Sequence, residues 1–175
     1  MPESKIFSPF IQKIQTLIPI AQTWRTAAEK VVESAERALS SQNPNADDRL
    51  ALSLVSIIFK TSNRSRSNVE NYNTAGGSIT FPEITKIKKT FQDIRDFLNA
   101  VQSNNVGLYE APTPLPPSLS EALAYANVGS WTTKDTNNDG IYFVKSRVEN
   151  KANDFIVDII IHESSHAVGI DHALI

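Results

Sequence analysis

Residues 153–172 read NDFIVDIIIHESSHAVGIDH, and this stretch decides both the expected fold and the candidate site. It begins with an apolar run and continues into the pattern H-E-x-x-H-x-x-G-x-x-H, from His162 to His172. The protein has 3 histidines, and all of them fall within this pattern. Background composition does not explain such a concentration, so we expect the stretch to form the centre of a site held by the rest of the chain.

The first half of the stretch predicts a buried helix. Asn153 is a favourable cap and Asp154 suits a first helical turn, so we expect a helix from Phe155 to about Val168 that stops at Gly169. Its apolar residues leave no polar side over one and a half turns, which is typical of a helix in the middle of a domain. These residues are Phe155, Ile156, Val157, Ile159, Ile160 and Ile161.

The histidine spacing indicates a metal site. Residues four apart on an α-helix share a face, so His162 and His166 can offer imidazole nitrogens to one ion. Because the chain has no cysteine, nitrogen and oxygen ligands must hold any metal. A catalytic Zn²⁺ takes three protein ligands and keeps a fourth position open for water. We therefore predict Zn²⁺ as the cofactor, with His162 and His166 as two of its ligands.

The third ligand is expected after the helix. Gly169 has no β-carbon and can adopt a left-handed conformation, which turns the chain back so that His172 or Asp171 reaches the ion. We predict His172 as the third ligand, with Asp171 or a residue beyond Ile175 as the alternatives.

Two acidic residues flank the first histidine. Glu163 projects about 100° round the helix from His162, so it can reach a water activated by the metal and act as its general base. The predicted reaction is hydrolysis of a peptide bond in a protein or peptide substrate. Asp158 lies one turn before His162 and is a candidate for orienting that imidazole, or for accepting a hydrogen bond from some other buried donor.

A second pattern, D-x-N-x-D-G, is formed by Asp135, Asn137, Asp139 and Gly140. It matches the first half of a calcium-binding loop, whose twelfth position requires a bidentate glutamate. That position is Ser146. We therefore favour a turn rich in Asp and Asn over a calcium site.

The pattern from His162 to His172 resembles the zincin metallopeptidases, and in full it is the metzincin signature. The resemblance implies that His162, His166 and His172 bind zinc and that Glu163 is the base. A metzincin also has a downstream methionine turn, whereas the one methionine of this chain is at the N-terminus.

A broader resemblance extends over most of the chain to the deuterolysin and peptidyl-lysine endopeptidase family, the aspzincins. The similar segments are Ala124-Tyr125-Ala126, Ile141-Tyr142 and the I-I-H-E-x-S-H run that ends at His166. This family has an aspartate as third ligand, for which Gly169-Ile170-Asp171 is a candidate at shorter spacing, and a later tyrosine that assists the oxyanion. No tyrosine follows His166 here. A chain truncated at its C-terminus would explain these departures.

The remaining pattern predicts one mostly helical α+β domain over residues 1–175. Apolar periodicity predicts helices at 8–19, 23–39, 45–59 and 82–101, with Pro19 ending or kinking the first. We expect a surface loop at 61–78, an irregular connector at 106–117, and a short helix near 119–124. Two short strands, 126–131 and 141–144, are expected to form a small sheet or hairpin beside the helix that carries His162 and His166.

Composition limits the function classes. With 17 basic and 19 acidic residues, the charge is close to neutral, which argues against a nucleic-acid or anionic-lipid partner. We find no signal peptide and no transmembrane segment, so a cytoplasmic protein or an effector exported by a non-classical route is expected. The oligomeric state is left open. Two alternatives to the peptidase are a catalytically incomplete zinc-binding fragment and a helical binding or effector-partner module without catalysis.

Overall fold

The computed structural model describes residues 8–61, 79–133 and 140–170. The chain is α+β and mostly helical with a small three-stranded sheet, which confirms the predicted fold class. These residues group into two compact units. The sheet unit comprises 8–24, 93–133 and 140–170, and the helical unit comprises 25–61 and 79–92. The single domain over 1–175 stays a prediction.

Three long helices precede the sheet: α1 (Pro9–Ser40), α2 (Ala46–Thr61) and α3 (Phe81–Gln102). The prediction of two separate helices, at 8–19 and 23–39, was wrong, because α1 continues through Pro19. Proline removes one backbone donor from a helix, and at the exposed position of Pro19 water can satisfy the carbonyl that lost its partner. Within the described ranges, no helix is long and apolar enough to cross a membrane.

The sheet contains three strands of three residues each: β1 (Leu108–Glu110), β2 (Ala124–Ala126) and β3 (Ile141–Phe143). Its order is β1-β3-β2, with β1 parallel and β2 antiparallel to the central strand. The predicted small sheet is confirmed, and β3 lies within the predicted 141–144.

Other predictions between α3 and the last helix were wrong. A strand was expected at 126–131, but the strand β2 already ends at Ala126. A short helix, α4 (Ser130–Thr133), follows it. The irregular connector contains β1, and a 3₁₀ turn at Pro117–Leu119 replaces the expected short helix. Another short helix, α5 (Lys145–Val148), follows β3. Three-residue strands offer too few positions to show the alternation that identifies a strand.

Three tyrosines stack across the outer face of the sheet. Tyr142 on β3 lies 4.9 Å, between ring centroids, from both Tyr109 on β1 and Tyr125 on β2. Gly107 and Gly140 leave room for the Tyr109 ring, since a β-carbon at either glycine would lie within 2.3 Å of it. The opposite face is buried and contributes Leu108, Ala124, Ile141 and Phe143 to the core of the sheet unit.

The last helix, α6 (Asn153–Ala167), packs against β2 and β3. Its predicted burial is confirmed for Ile156, Val157, Ile159 and Ile160, whereas Phe155 is 42% exposed. Phe155 belongs to the first turn, before the helix is fully covered. The N-terminal cap is Ala152, without a side-chain hydrogen bond, so the prediction that Asn153 caps the helix was wrong.

The helical unit has its own apolar core and, beside it, a buried ion pair. The core residues are Val32, Ala35, Ala51, Val55, Ile79 and Ile84. On α1, the guanidinium of Arg25 donates to the carboxylate of Glu29 one turn later and to the carbonyl of Phe91, 3.3 Å away. The side chains of Arg25 and Glu29 are only 4% and 11% exposed. Such a pair is costly to break because one charge is then left buried.

Replacing Glu29→Ala is expected to lower the free energy of unfolding by about 3–5 kcal/mol, because the buried Arg25 charge loses the carboxylate that neutralises it. Chemical denaturation measures this loss. The exposed Lys30→Ala on the same helix is the control and should change stability by less than about 0.5 kcal/mol. The double variant Arg25→Met, Glu29→Leu should recover most of the loss. A loss below about 1 kcal/mol for Glu29→Ala would contradict the prediction.

Candidate metal centre

Helix α6 brings the first two predicted ligands together. The Nε2 atoms of His162 and His166 lie 3.1 Å apart, and the two rings are nearly perpendicular at 87°. Two nitrogens bound to one tetrahedral Zn²⁺ at 2.0–2.1 Å are separated by about 3.3 Å. The observed separation is thus close to that of two ligands on one zinc ion.

His166 is held in the tautomer that a metal ligand needs. Its Nδ1 lies 2.5 Å from the carbonyl oxygen of Ile170. A carbonyl can only accept a hydrogen bond, so Nδ1 is the donor, and the neutral ring keeps its lone pair on Nε2. A backbone carbonyl on the remote nitrogen is a common way to orient a ligand histidine. His166 is also buried, whereas His162 is exposed.

The end of α6 explains why the Ile170 carbonyl reaches His166. Gly169 has φ +106°, in the left-handed region. Its N–H donates to the His166 carbonyl at 2.8 Å, and the N–H of Ile170 donates to the Ser165 carbonyl at 2.9 Å. These two bonds form a Schellman motif, which reverses the chain direction after a helix. The predicted role of Gly169 in ending the helix is thereby confirmed.

Glu163 is buried, with 6% of its surface exposed. Burial raises the pKa of its carboxyl to about 7, because the charged form loses its hydration, while a hydrogen bond from the backbone of Ala126 acts in the opposite direction. A carboxyl with a pKa near neutrality can both accept and release a proton at physiological pH.

The chain from the end of β2 to the start of α4 forms two hydrogen bonds to α6. The N–H of Ala126 donates to Glu163, and the N–H of Gly129 donates to the His166 carbonyl at 2.9 Å. Sequence reasoning missed both contacts, because backbone donors have no residue signature. The one available signal was the family-like Ala124-Tyr125-Ala126 segment, which marks the strand but not its contacts.

Several predicted site residues lie outside the part of the chain that the structure describes. His172 and Asp171 lie outside the described residues, as do Asp135, Asn137 and Asp139 of the calcium-like pattern. Asp158 is exposed one turn before His162, and its role in orienting that imidazole stays a prediction. Across 8–61, 79–133 and 140–170, no group of three or more His, Cys, Asp or Glu side chains is placed to hold a metal ion. The described residues thus supply two candidate ligands and a carboxyl beside them.

The raised pKa of Glu163 predicts a pH-dependent stability of the metal-free protein. The folded carboxyl titrates at about 7 and its ordinary value is 4.5, so between these values the folded state binds more protons than the unfolded state. The free energy of unfolding should therefore fall as pH rises through this window, by about 3 kcal/mol in total.

The uncharged Glu163→Gln is the matched variant for this effect. We expect its stability relative to wild type, measured by denaturation in a chelating buffer, to increase by about 3 kcal/mol between pH 4 and pH 8. A difference between the two proteins that stays constant over this range would refute the assignment.

The chain matches no family model, no curated protein and no solved structure. The resemblance to the zincins accordingly depends on the sequence motifs alone, of which His162, Glu163, His166 and Gly169 are described and His172 is not.

Proposed function

We propose that the protein is a zinc-dependent endopeptidase in which Glu163 is the general base. The observation that supports this function best is the 3.1 Å separation of the His162 and His166 Nε2 atoms on the helix that also holds Glu163. Two imidazole nitrogens that are separated like two ligands of one zinc ion, with a buried carboxyl on the same helix, are the core of a hydrolytic zinc site.

His162 and His166 would hold the zinc ion, with His172 as the proposed third ligand. When bound, zinc supplies Lewis acidity, which lowers the pKa of water and polarises the substrate carbonyl. The hydrogen bond from His166 Nδ1 to the Ile170 carbonyl supports this assignment, because it directs the lone pair of the ring to Nε2.

Glu163 moves the proton. It takes a proton from the water that attacks the peptide carbonyl and transfers it to the amine that leaves, so its carboxylate is regenerated at the end of the cycle. The N–H of Ala126 holds the carboxylate in place. The burial of Glu163 favours proton uptake, since the neutral carboxyl is the form that tolerates loss of water.

The position of β2 favours an extended peptide as substrate. This strand lies at the edge of the sheet, and Ala126 at its end contacts Glu163. An edge strand exposes backbone donors and acceptors that can pair with an added extended segment. A peptide paired in this way would pass beside the general base.

Metal content and cleavage test the proposal together. Purified protein is expected to hold close to one zinc per chain, by elemental analysis, and to cleave an unfolded protein substrate such as reduced, alkylated albumin. A chelator should stop cleavage and added zinc should restore it. Protein that neither contains zinc nor takes it up at neutral pH would refute the function, and zinc without cleavage would favour the catalytically incomplete fragment.

A further inference from the structure

We propose that the outer face of α2 binds a second copy of this chain, with the two α2 helices antiparallel across a twofold axis. Four large apolar side chains form this face, here named the outer stripe: Leu50, Leu54, Ile57 and Ile58. The surface belongs to the helical unit, and the inference does not depend on the proposed zinc site.

Helical spacing places the outer stripe on one side of α2. Successive residues of a helix turn by about 100°, so positions 50, 54, 57 and 58 fall within an arc of about 100°. All four residues are exposed, by 61%, 44%, 55% and 57% in chain order. The exposed apolar residues of α2 therefore form one continuous surface.

The neighbouring side of α2 already supplies the core of the helical unit. Ala51 and Val55 are buried there, and Leu52 and Phe59 pack against that core. A surface helix needs one apolar stripe of about 100° to pack on its domain, but from Leu50 onward the apolar arc of α2 covers about 220°. An arc of this width is typical of a helix that is covered on two sides.

The exposed area suits a second copy as the cover. With about half of each residue exposed, the outer stripe presents on the order of 400 Å² of apolar surface, and two copies present about 800 Å². Homodimer interfaces are about two-thirds apolar, so the stripe corresponds to a total interface of about 1,200 Å². That total reaches the size of a specific, stable interface.

The outer stripe is also complementary to itself. A twofold axis at Leu54 places this residue against its own equivalent, and it places Leu50 against Ile58 of the second copy. Each apolar side chain then meets another apolar side chain, as the repeated contacts of a twofold interface require.

The charge of α2 disfavours a lipid surface as the occupant. The helix has two acidic and two basic residues, Asp47, Asp48, Arg49 and Lys60. A helix that lies on a membrane has a polar face rich in Lys and Arg. The positive charges of α2 do not exceed its negative charges, so a protein surface is favoured.

The mass of the full chain in solution tests the contact. Interfaces of ordinary size give Kd values of micromolar or tighter, so light scattering at about 100 µM should find wild type at twice the chain mass of 19.3 kDa. Leu54→Glu should have the single mass, because two carboxylates would meet at the axis. Val128→Glu is the matched control: Val128 is 54% exposed in the sheet unit, so the same charge is added outside the outer stripe and the double mass should remain.

Single cysteines test the antiparallel orientation, since the chain has no cysteine of its own. In the proposed pair, two residues at position 54 face each other, whereas two at position 50 are about 12 Å apart along the helix axes. Leu54→Cys should form a covalent dimer at least about tenfold faster than Leu50→Cys, because a disulfide joins Cα atoms no more than about 7 Å apart. Exposure alone predicts the opposite order, since Leu50 is the more exposed residue.

The double mass of wild type and Val128→Glu, together with the single mass of Leu54→Glu, supports the proposal. A single mass for wild type overturns it and would indicate that the outer stripe is covered within one chain or by a different protein. A double mass retained by Leu54→Glu also overturns it, since the copies would then meet elsewhere. Equal oxidation rates of the two cysteine variants overturn the antiparallel pairing, and these variants decide the question if Leu54→Glu loses helix content by circular dichroism.

Discussion

Glu163→Gln is expected to lower kcat/KM for peptide cleavage by about 10²–10⁴-fold while leaving zinc content unchanged. Glutamine has nearly the shape of glutamate and can still accept the hydrogen bond from Ala126. It cannot take the proton of the attacking water at any working pH. Glu163 is not among the proposed zinc ligands, so metal binding should survive the change. The measurement is the rate of cleavage of a quenched fluorescent peptide, with zinc determined on the same sample.

Glu149→Gln is the matched control, since Glu149 is exposed in the same unit and undergoes the same chemical change. It should retain the wild-type rate within twofold. Two results would count against the role of Glu163: a rate for Glu163→Gln within about threefold of wild type, or a loss of activity that follows a loss of zinc. The second result would indicate that Glu163 supports the ligands rather than the proton transfer.

The parts of the site that depend on local geometry were predictable from the sequence. Residues four apart on a helix must share a face, so the contact of His162 with His166 followed from spacing alone. Gly169 was expected to end the helix, because glycine reaches the left-handed region without strain, and the observed φ of +106° agrees. Both predictions needed only the helix itself.

Features that depend on contacts between distant parts of the chain were not predictable. The hydrogen bonds of Ala126 and Gly129 to α6 come from backbone groups, which every residue except proline offers equally. β1 escaped notice because it has three residues and precedes a run rich in proline. The burial of Glu163, which sets its pKa, is likewise a consequence of how β2 packs on α6 and not of any residue near it in sequence.

Pro19 and Asn153 show how tertiary context overrides local preference. Pro19 was expected to end or kink a helix. The helix α1 does not end there, since an exposed proline loses one hydrogen bond while the apolar residues on both sides of it remain in the core. Asn153 is a favourable cap by type, but the helix begins at this residue and the cap position falls on Ala152. In each case the burial of a long apolar face outweighs about 1–3 kcal/mol of local preference.

His166→Asn is expected to weaken zinc binding by more than about a hundredfold, because it removes a ligand rather than a residue that only supports one. The Asn amide can replace the Nδ1–H donor to the Ile170 carbonyl, so the turn after α6 keeps its bond while Nε2 is absent. Competition with a chromophoric chelator measures the affinity, and circular dichroism verifies the helix content.

Ser165→Ala is the control for the zinc measurement. Ser165 is adjacent to His166, and its hydroxyl donates to the His162 carbonyl within the same helix at 2.6 Å. Loss of this bond should leave zinc affinity within about threefold, since neither imidazole is altered. If His166→Asn retained wild-type zinc affinity in a folded protein, the Nε2 pair would not be a metal site, and the helical binding module would become the better account of the chain. Because that module does not use the histidines chemically, it also predicts that partner binding survives His166→Asn.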